Sequence, residues 1–196
     1  MRKDHTAEAA AAAIGKTVRT LTGAAARDSE LRAALDGEPG GGWGVDALLG
    51  KQTREHSDLD VWAPAAHLEP LFVAFAEAGV DRIFPWPGDR PWNFVLHDGV
   101  RLRIDLHLYE PLADGSLHYG SVVDGGPFPA EALAGHGSIA GTAVRCESAE
   151  WAVRWHTGYP ARDVDRHDVP LLCQKFAIPL PEGFVPADEH SPSGTA

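Results

Sequence analysis

Residues 41–60 read GGWGVDALLGKQTREHSDLD. Two glycines open this stretch, apolar residues follow, and two aspartates close it. Residues 58–62 alternate polar and apolar side chains, which predicts a β-strand. Because strand side chains alternate between faces, Asp58 and Asp60 point the same way while Leu59 points into the core. Two carboxylates about 7 Å apart favour a cation between them, and Mg²⁺ prefers carboxylate and phosphate oxygens. An isolated Asp-x-Asp pair is also common on solvated strands.

A second strand is predicted over residues 101–109, which read RLRIDLHLY. Every even position is aliphatic and every odd position is polar or aromatic, a period of two. Asp105 therefore shares a polar face with Arg103 and His107. An antiparallel strand with one solvated face would give the same pattern. His107 either orients Asp105 or is an ordinary surface histidine.

The pair Asp98-Gly99 separates two alternating runs, which is the strongest short-range signal for a β-hairpin. A two-residue loop at this point would place Trp92 opposite Asp105. Since directly opposed residues share a face, Trp92 is predicted to border the same cleft. It would stack there on a base or an acceptor ring, or it would only pack the sheet.

The glycine-rich residues 38–42 predict a flexible loop, followed by a helix over Gly44–Leu49 that ends at Gly50. A bare glycine backbone before a helix N-terminus presents N–H groups to an anionic phosphate. Gly41 and Gly42 are therefore candidate phosphate-binding residues. A plain linker is the alternative interpretation.

The remaining patterns predict further helices and short strands, which gives the α+β class. The helices are predicted over residues 6–36, 64–78 (with Pro70 in the first turn), 148–156 and 169–176. Residues 110–147 have few helix signals and predict short strands. The chain is accordingly divided into an N-terminal helical segment 1–36, a domain 37–184 and a disordered tail 185–196.

Composition limits the classes of partner. The chain has 196 residues, 44% of them hydrophobic, and a formal net charge of -11. Such a surface repels phosphate backbones, so nucleic acid is not an expected partner. No apolar run is long enough for a transmembrane helix, so no membrane partner is expected. The two cysteines, Cys146 and Cys173, form no metal or redox motif and predict packed thiols in a cytoplasmic protein. The ten histidines show no zinc-binding spacing.

Residues 41–60 resemble the lincosamide and aminoglycoside nucleotidyltransferases of the DNA polymerase beta superfamily. The resemblance covers roughly residues 35–184 and includes Pro91–Phe94, Ile104–His107 and the closing segment Trp155–Cys173. It implies a nucleotidyltransferase fold in which helices flank a mixed sheet. It also implies Mg²⁺-dependent adenylyl transfer from ATP to a hydroxyl of a small molecule, such as an antibiotic.

Carried over position by position, the resemblance implies a metal-binding pair at Asp58 and Asp60. Asp105 matches the third carboxylate, which binds metal or takes the proton of the acceptor hydroxyl. Two glycines and one basic residue match phosphate-binding positions: Gly41, Gly42 and Arg54. The candidate substrate residues are Trp92 and His107.

Members of this family usually have an apolar strand before the two glycines, whereas residues 35–40 here read LDGEPG. This composition is poor for a strand and predicts a shortened strand, a missing strand or a remodelled loop.

Two other hypotheses about function stay open. One is transfer to a macromolecule, which the acidic charge disfavours for RNA. The other is the same fold used for a different small-molecule reaction or for ligand binding alone. The expected oligomeric state is a monomer or a homodimer.

Overall fold

The computed structural model describes residues 38–77, 79–83, 92–100, 102–121, 123 and 125–184. The predicted helical segment 1–36, the loop 85–91 and the tail 185–196 lie outside the described residues. The predicted division of the chain at these points therefore stays a prediction.

The described residues form nine strands and four α-helices, in an α+β arrangement as predicted. Short 3₁₀ turns occupy residues 65–67, 130–133 and 182–184. The strands and helices are, in chain order, β1 Glu38–Gly40, α1 Gly41–Leu49, β2 Leu59–Pro64, α2 Leu68–Glu77, β3 Arg82–Ile83, β4 Asn93–His97, β5 Arg103–Pro111, β6 Leu117–Tyr119, β7 Gly126–Phe128, β8 Gly135–Ile139, β9 Thr142–Cys146, α3 Ala149–Trp155 and α4 Asp163–Phe176.

Seven strands form one mixed sheet, which confirms the predicted architecture. The strand order is β1-β2-β5-β4-β3, with β6 paired to β5 and β7 paired to β6. The β2–β5 pair is parallel, and all other neighbours in this sheet are antiparallel. Strands β8 and β9 form a separate antiparallel hairpin.

Strand β5 lies at the centre of this sheet and has the alternation that its sequence predicts. Ile104, Leu106 and Leu108 are buried, whereas the odd-numbered residues between them are only half-buried. The buried face packs against Leu71 and Phe75 of α2. Since side chains alternate along a strand, the opposite face of β5 carries its polar residues.

The hairpin between β4 and β5 differs from its prediction. The loop comprises five residues, 98–102, because Asp98 Oδ1 accepts hydrogen bonds from the backbone N–H groups of Val100 and Leu102. The register pairs Val95, not Trp92, with Asp105. Trp92 precedes β4, and its carbonyl oxygen accepts the N–H of Leu108 at 2.8 Å. The predicted pairing of Trp92 with Asp105 was therefore wrong.

The segment before the glycines is a strand, although a short one. Strand β1 pairs antiparallel with β2, and Gly40 faces Asp60 in the register. The prediction of a flexible loop over residues 38–42 was wrong, because backbone pairing with β2 fixes the first three residues. The following helix also starts earlier than predicted, at Gly41.

The other helices agree with the predictions in position but not in every boundary. Helix α2 is preceded by a 3₁₀ turn and has Pro70 in its first turn, as predicted. Helix α4 begins at Asp163, six residues before its predicted start, and Pro170 lies inside it. A capping box explains the earlier start, because the Arg162 backbone N–H donates to Asp165 Oδ2 at 2.8 Å.

Two further predictions concern the thiols and the membrane. Cys146 and Cys173 are buried and form no disulfide, as predicted. No helix among the described residues has the length and apolar character that crossing a bilayer requires.

Candidate active site

The polar faces of β2 and β5 meet at one register position. Asp60 pairs with Asp105 in the parallel ladder, so both carboxyl groups lie on the same face. His107 joins them from the next outward-facing position of β5. Its Nε2 lies 3.2 Å from Asp60 Oδ1 and 3.9 Å from Asp105 Oδ1. One donor atom from each of these three side chains lies within 4.8 Å of the others.

Asp58 is the neighbour of this cluster rather than a member of it. It precedes β2, and its Oδ2 lies 3.8 Å from Arg103 Nε. Burial and the charges of Asp60 and Asp105 raise the pKa of Asp58, whereas Arg103 opposes this shift. Of the three predicted carboxylates, the structure therefore brings Asp60 and Asp105 together, whereas Asp58 lies outside the cluster and is affected by their charges.

The pKa values of Asp60, Asp105 and His107 are shifted by burial and by the charges of one another. Burial and the Asp60 charge raise the pKa of Asp105, although His107 and Asn93 oppose the shift. Burial would also raise the pKa of Asp60, but the hydrogen bond and the charge of His107 outweigh it and lower that pKa. Burial lowers the pKa of His107, whereas the hydrogen bond with Asp60 raises it. The net effect is a raised pKa. His107 is thus the neighbour that favours the charged form of Asp60.

Contacts on three sides fix the imidazole ring of His107. The ring stacks on Trp62 with centroids 4.9 Å apart and an interplanar angle of 29°. Its Nδ1 lies 3.0 Å from the hydroxyl of Tyr119. Asn93 donates from Nδ2 to Asp105 Oδ1 at 2.5 Å, and the same nitrogen lies 3.3 Å from His107 Nδ1. These contacts leave Nε2 as the nitrogen directed at Asp60 and Asp105.

Of the two predicted phosphate-loop glycines, Gly41 lies against the cluster and Gly42 lies against Arg54 and His56. Gly41 has φ +52°, and a side chain there would collide with the carboxylate of Asp60. A side chain on Gly42 would collide with Arg54 and His56. The first turn of α1 contains no acidic residue and has no side-chain cap. This turn therefore lies next to the Asp60 carboxylate without a negative charge from its own helix, and the N–H of Gly41 is directed at Glu147.

Arg54 lies behind this turn in a buried ion pair. Its Nε and Nη2 donate to Asp168 of α4, with the shortest distance 2.7 Å. Its Nη1 lies 3.0 Å from His56 Nδ1. His56 in turn lies 2.5 Å from Asp46 of α1, which also accepts two hydrogen bonds from Thr53. The loop before β2 is thus held to both α1 and α4 by charged contacts.

Glu147 is a buried acid that the sequence did not reveal. Its Oε1 accepts a 2.7 Å hydrogen bond from Trp62 Nε1, and its Oε2 has no partner among the described residues. Burial raises the pKa of Glu147 to about 8, and the Asp60 charge acts in the same direction. The N–H of Gly41 and the hydrogen bond from Trp62 oppose this shift. Glu147 therefore joins the glycine turn to the tryptophan that supports His107.

Three other residues of the site also escaped prediction: Trp62, Asn93 and Tyr119. Asn93 is in the quoted motif Pro91–Phe94, but only the observed register places it opposite His107. Tyr119 comes from residues 110–147, where no sequence pattern indicated a role. Trp92 is half-buried, and its Nε1 has no hydrogen-bond partner among the described residues. Its substrate role stays a prediction.

The chain is similar to known nucleotidyltransferases. The family model described as aminoglycoside-2''-adenylyltransferase matches residues 24–172. A lincosamide resistance protein of Staphylococcus haemolyticus is 27% identical over 132 residues, which cover 67% of this chain and 80% of that protein. A 2''-aminoglycoside nucleotidyltransferase of Escherichia coli is 34% identical over 134 residues, covering 67% of this chain and 68% of that protein.

Solved structures show the same fold. The lincomycin-bound lincosamide antibiotic adenylyltransferase LnuA matches with a TM-score of 0.60 and 26% identity, covering 73% of this chain and 87% of LnuA. The complex of ANT(2'')-Ia with adenylyl-2''-tobramycin matches with a TM-score of 0.56 and 20% identity, covering 84% of this chain and 90% of that chain. The predicted resemblance is confirmed, and the chain belongs to the aminoglycoside-2''-adenylyltransferase family of nucleotidyltransferases.

Proposed function

We propose that this protein transfers the adenylyl group of ATP to a hydroxyl of a small-molecule antibiotic, in a Mg²⁺-dependent reaction. A lincosamide or an aminoglycoside is the expected acceptor class, since the relatives named above act on these compounds. The cytoplasm, where ATP is available, is the expected compartment. Nucleic acid and membrane are not expected partners, and a monomer or a homodimer is expected.

One observation carries the proposal: Asp60 and Asp105 stand side by side next to the uncapped N-terminus of α1. Phosphoryl transfer needs positioning and charge neutralisation more than covalent help from the protein. N–H groups of Gly41 and Gly42 would bind phosphate oxygens at this helix end. Arg54, which reaches Gly42 from behind, would add positive charge near the triphosphate.

The donor set fits a divalent cation. Burial and the Asp60 charge raise the pKa of Asp105, so a cation between the two carboxylates would relieve their repulsion. Asp58, Asp60 and Asp105 would hold Mg²⁺, and Asp58 would leave Arg103 to do so. When bound, Mg²⁺ would neutralise charge on the transferred phosphoryl group.

The residues of β4 and β5 would act on the acceptor. Asp105 is the candidate base for the acceptor hydroxyl, and general-base catalysis typically contributes a factor of about 10²–10⁴ in rate. Asn93 would hold the Asp105 carboxyl in place through its hydrogen bond. Trp92 and His107 are the candidate acceptor contacts.

The test is pyrophosphate release from ATP and Mg²⁺ with a panel of lincosamides and aminoglycosides, with mass spectrometry of the product. An acceptor heavier by one adenylyl group supports the proposal. The control variant is Asp114→Asn, because Asp114 lies in an exposed turn, where its carboxylate accepts hydrogen bonds from Ser116. Absence of product with every acceptor, together with absence of Mg·ATP binding in calorimetry, would refute the proposal.

A further inference from the structure

We propose that the cluster is a mixed oxygen–nitrogen metal site, in which Nε2 of His107 is a ligand beside Asp60 and Asp105. The site would bind divalent first-row transition ions such as Co²⁺ and Zn²⁺ through a nitrogen that Mg²⁺ does not use. The inference extends the metal requirement of the proposed function, and metal binding can be measured without nucleotide transfer.

The donor separations fit one ion. Two ligands that each lie about 2.1 Å from a first-row ion are about 3.0 Å apart at a right angle and about 4.2 Å apart when opposed. The His107 Nε2 separations of 3.2 Å to Asp60 and 3.9 Å to Asp105 fall within this interval. The third separation, between Asp60 and Asp105, is at most 4.8 Å, so a small side-chain rotation would close the set.

The second observation is the orientation of the imidazole. Histidine ligands in metal sites nearly always form a hydrogen bond through the other ring nitrogen, which fixes the tautomer and the ring plane. His107 has this arrangement, because its Nδ1 meets the Tyr119 hydroxyl at 3.0 Å. The stacked Trp62 restrains the ring further, and Trp155 stacks on the far side of Trp62 with centroids 4.8 Å apart. Nε2 is thus held toward the carboxylates, where a metal ion would take the place of the proton that Nε2 shares with Asp60.

The chemistry of the donors decides which ions gain from His107. Carboxylate and water suit Mg²⁺, whereas imidazole suits Zn²⁺ and the later transition ions. Removal of an imidazole ligand should therefore weaken Co²⁺ binding much more than Mg²⁺ binding. A histidine that only contacted the acceptor would change neither affinity.

The experiment measures metal affinity in the full chain, free of any polyhistidine tag and without nucleotide or acceptor. Calorimetry and visible absorption follow Co²⁺, and competition with Co²⁺ gives the Mg²⁺ affinity. The variants are His107→Gln, which removes the nitrogen ligand, and Asp105→Asn, which removes a shared oxygen ligand. His136→Gln is the matched control, because His136 is an exposed histidine of β8.

We expect His107→Gln to raise the dissociation constant of Co²⁺ by about 10- to 100-fold and that of Mg²⁺ by less than about threefold. Asp105→Asn should weaken both ions, and His136→Gln should weaken neither. Electron spin-echo spectroscopy of the unsubstituted protein loaded with one equivalent of Cu²⁺, an ion that imidazole suits, should show coupling to an imidazole nitrogen. This measurement decides the case if His107→Gln does not fold.

Three results would overturn the inference. They are an unchanged Co²⁺ affinity in His107→Gln, an equal loss for Co²⁺ and Mg²⁺, and the absence of nitrogen coupling in the Cu²⁺-loaded protein. A protein that binds Co²⁺ through nitrogen but transfers no nucleotide would retain this inference and lose the proposed function. The two failures are therefore distinguishable.

Discussion

Asp60 and Asp105 occupy one register position of the parallel pair β2–β5, so their carboxyl groups stand side by side. The two carboxylates disfavour each other's charge, because burial and the Asp60 charge both raise the pKa of Asp105. His107 relieves part of the repulsion through its contact with Asp60. Such local strain is common where a site is built for a bound cation rather than for stability.

The substitution Asp105→Asn should separate activity from stability. Pyrophosphate release should fall by a factor of about 10²–10⁴, because both a metal ligand and the candidate base are lost. The metal-free melting temperature should stay equal or rise, since a buried like charge is removed. A steady-state pyrophosphate assay and a thermal melt in chelator test the two parts. An Asp105→Asn enzyme with activity within threefold of the parent would contradict the assignment.

Gly41→Ala should damage both the fold and the site. Gly41 has φ +52°, and a methyl group there would collide with the Asp60 carboxylate. The matched control is Gly115→Ala, at φ +87°, where a methyl group would meet no atom within 4 Å. The control should cost about 1 kcal/mol from backbone strain alone and keep full activity. Gly41→Ala should lose more stability in urea unfolding and most of its activity, and equal behaviour of the two variants would argue against this close packing.

Local sequence patterns were sufficient to predict the polar face of β5 and the family resemblance, but they could not predict which strands pair. The alternation in residues 101–109 placed Asp105 and His107 on one face, which β5 confirms. No local signal reports that β5 runs parallel to β2, because that pairing depends on a crossover through α2, β3 and β4. The convergence of Asp60 and Asp105 came from the family resemblance.

The predicted two-residue hairpin loop was wrong because the side chain of Asp98 forms hydrogen bonds that the local rule does not consider. Asp98-Gly99 indicated a two-residue loop, but the carboxylate of Asp98 binds two backbone N–H groups and widens the turn to residues 98–102. The residue of β4 that pairs with Asp105 is therefore Val95, three positions after the predicted Trp92. Because an odd shift exchanges the faces of a strand, Asn93 rather than Trp92 lies with the site. Glu147 could not be predicted either, since its burial depends on tertiary packing against Trp62.

Glu147→Gln should change how stability depends on pH. Burial raises the pKa of Glu147 to about 8 from an ordinary value of 4.5, so the folded state holds a proton that the unfolded state releases earlier. The stability from this group is fully present below pH 4.5 and is lost as pH rises through about 8. Glutamine does not titrate, and it can still accept the hydrogen bond from Trp62. The variant should match the parent near pH 4.5 and exceed it at pH 9 by up to about 4 kcal/mol.

Urea unfolding of both proteins across this pH range measures the difference. Glu150→Gln is the matched control, because Glu150 is an exposed residue three positions further along the chain. Its stability difference from the parent should not widen with pH. A Glu147→Gln difference that stays constant from pH 4.5 to pH 9 would show that Glu147 titrates normally in the folded protein.

The ion pair of Arg54 and Asp168 joins the loop before β2 to helix α4, and its removal should be costly. Asp168 is almost fully buried, and Arg54 is 22% exposed. Asp168→Ala therefore leaves a largely buried guanidinium without its hydrogen-bonded carboxylate, and Asp46 and Asp58 act on it through their charges alone. We expect a loss of about 2–3 kcal/mol in the free energy of unfolding, less than for a wholly buried pair. Since Arg54 also lies against Gly42, the KM for ATP should rise more than kcat falls.

Asp81→Ala is the matched control for this prediction, because Asp81 contacts Arg82 at 4.0 Å with both side chains more than half exposed. Exposed pairs of this kind contribute little, so its unfolding free energy should change by less than about 0.5 kcal/mol. Urea unfolding and steady-state kinetics on both variants make the comparison. If Asp168→Ala were as stable as Asp81→Ala and kept the parent KM for ATP, the ion pair would have no part in positioning the loop that carries Asp58. A lower stability with an unchanged KM would limit Asp168 to the fold, and Arg54 would then lose its place near the triphosphate.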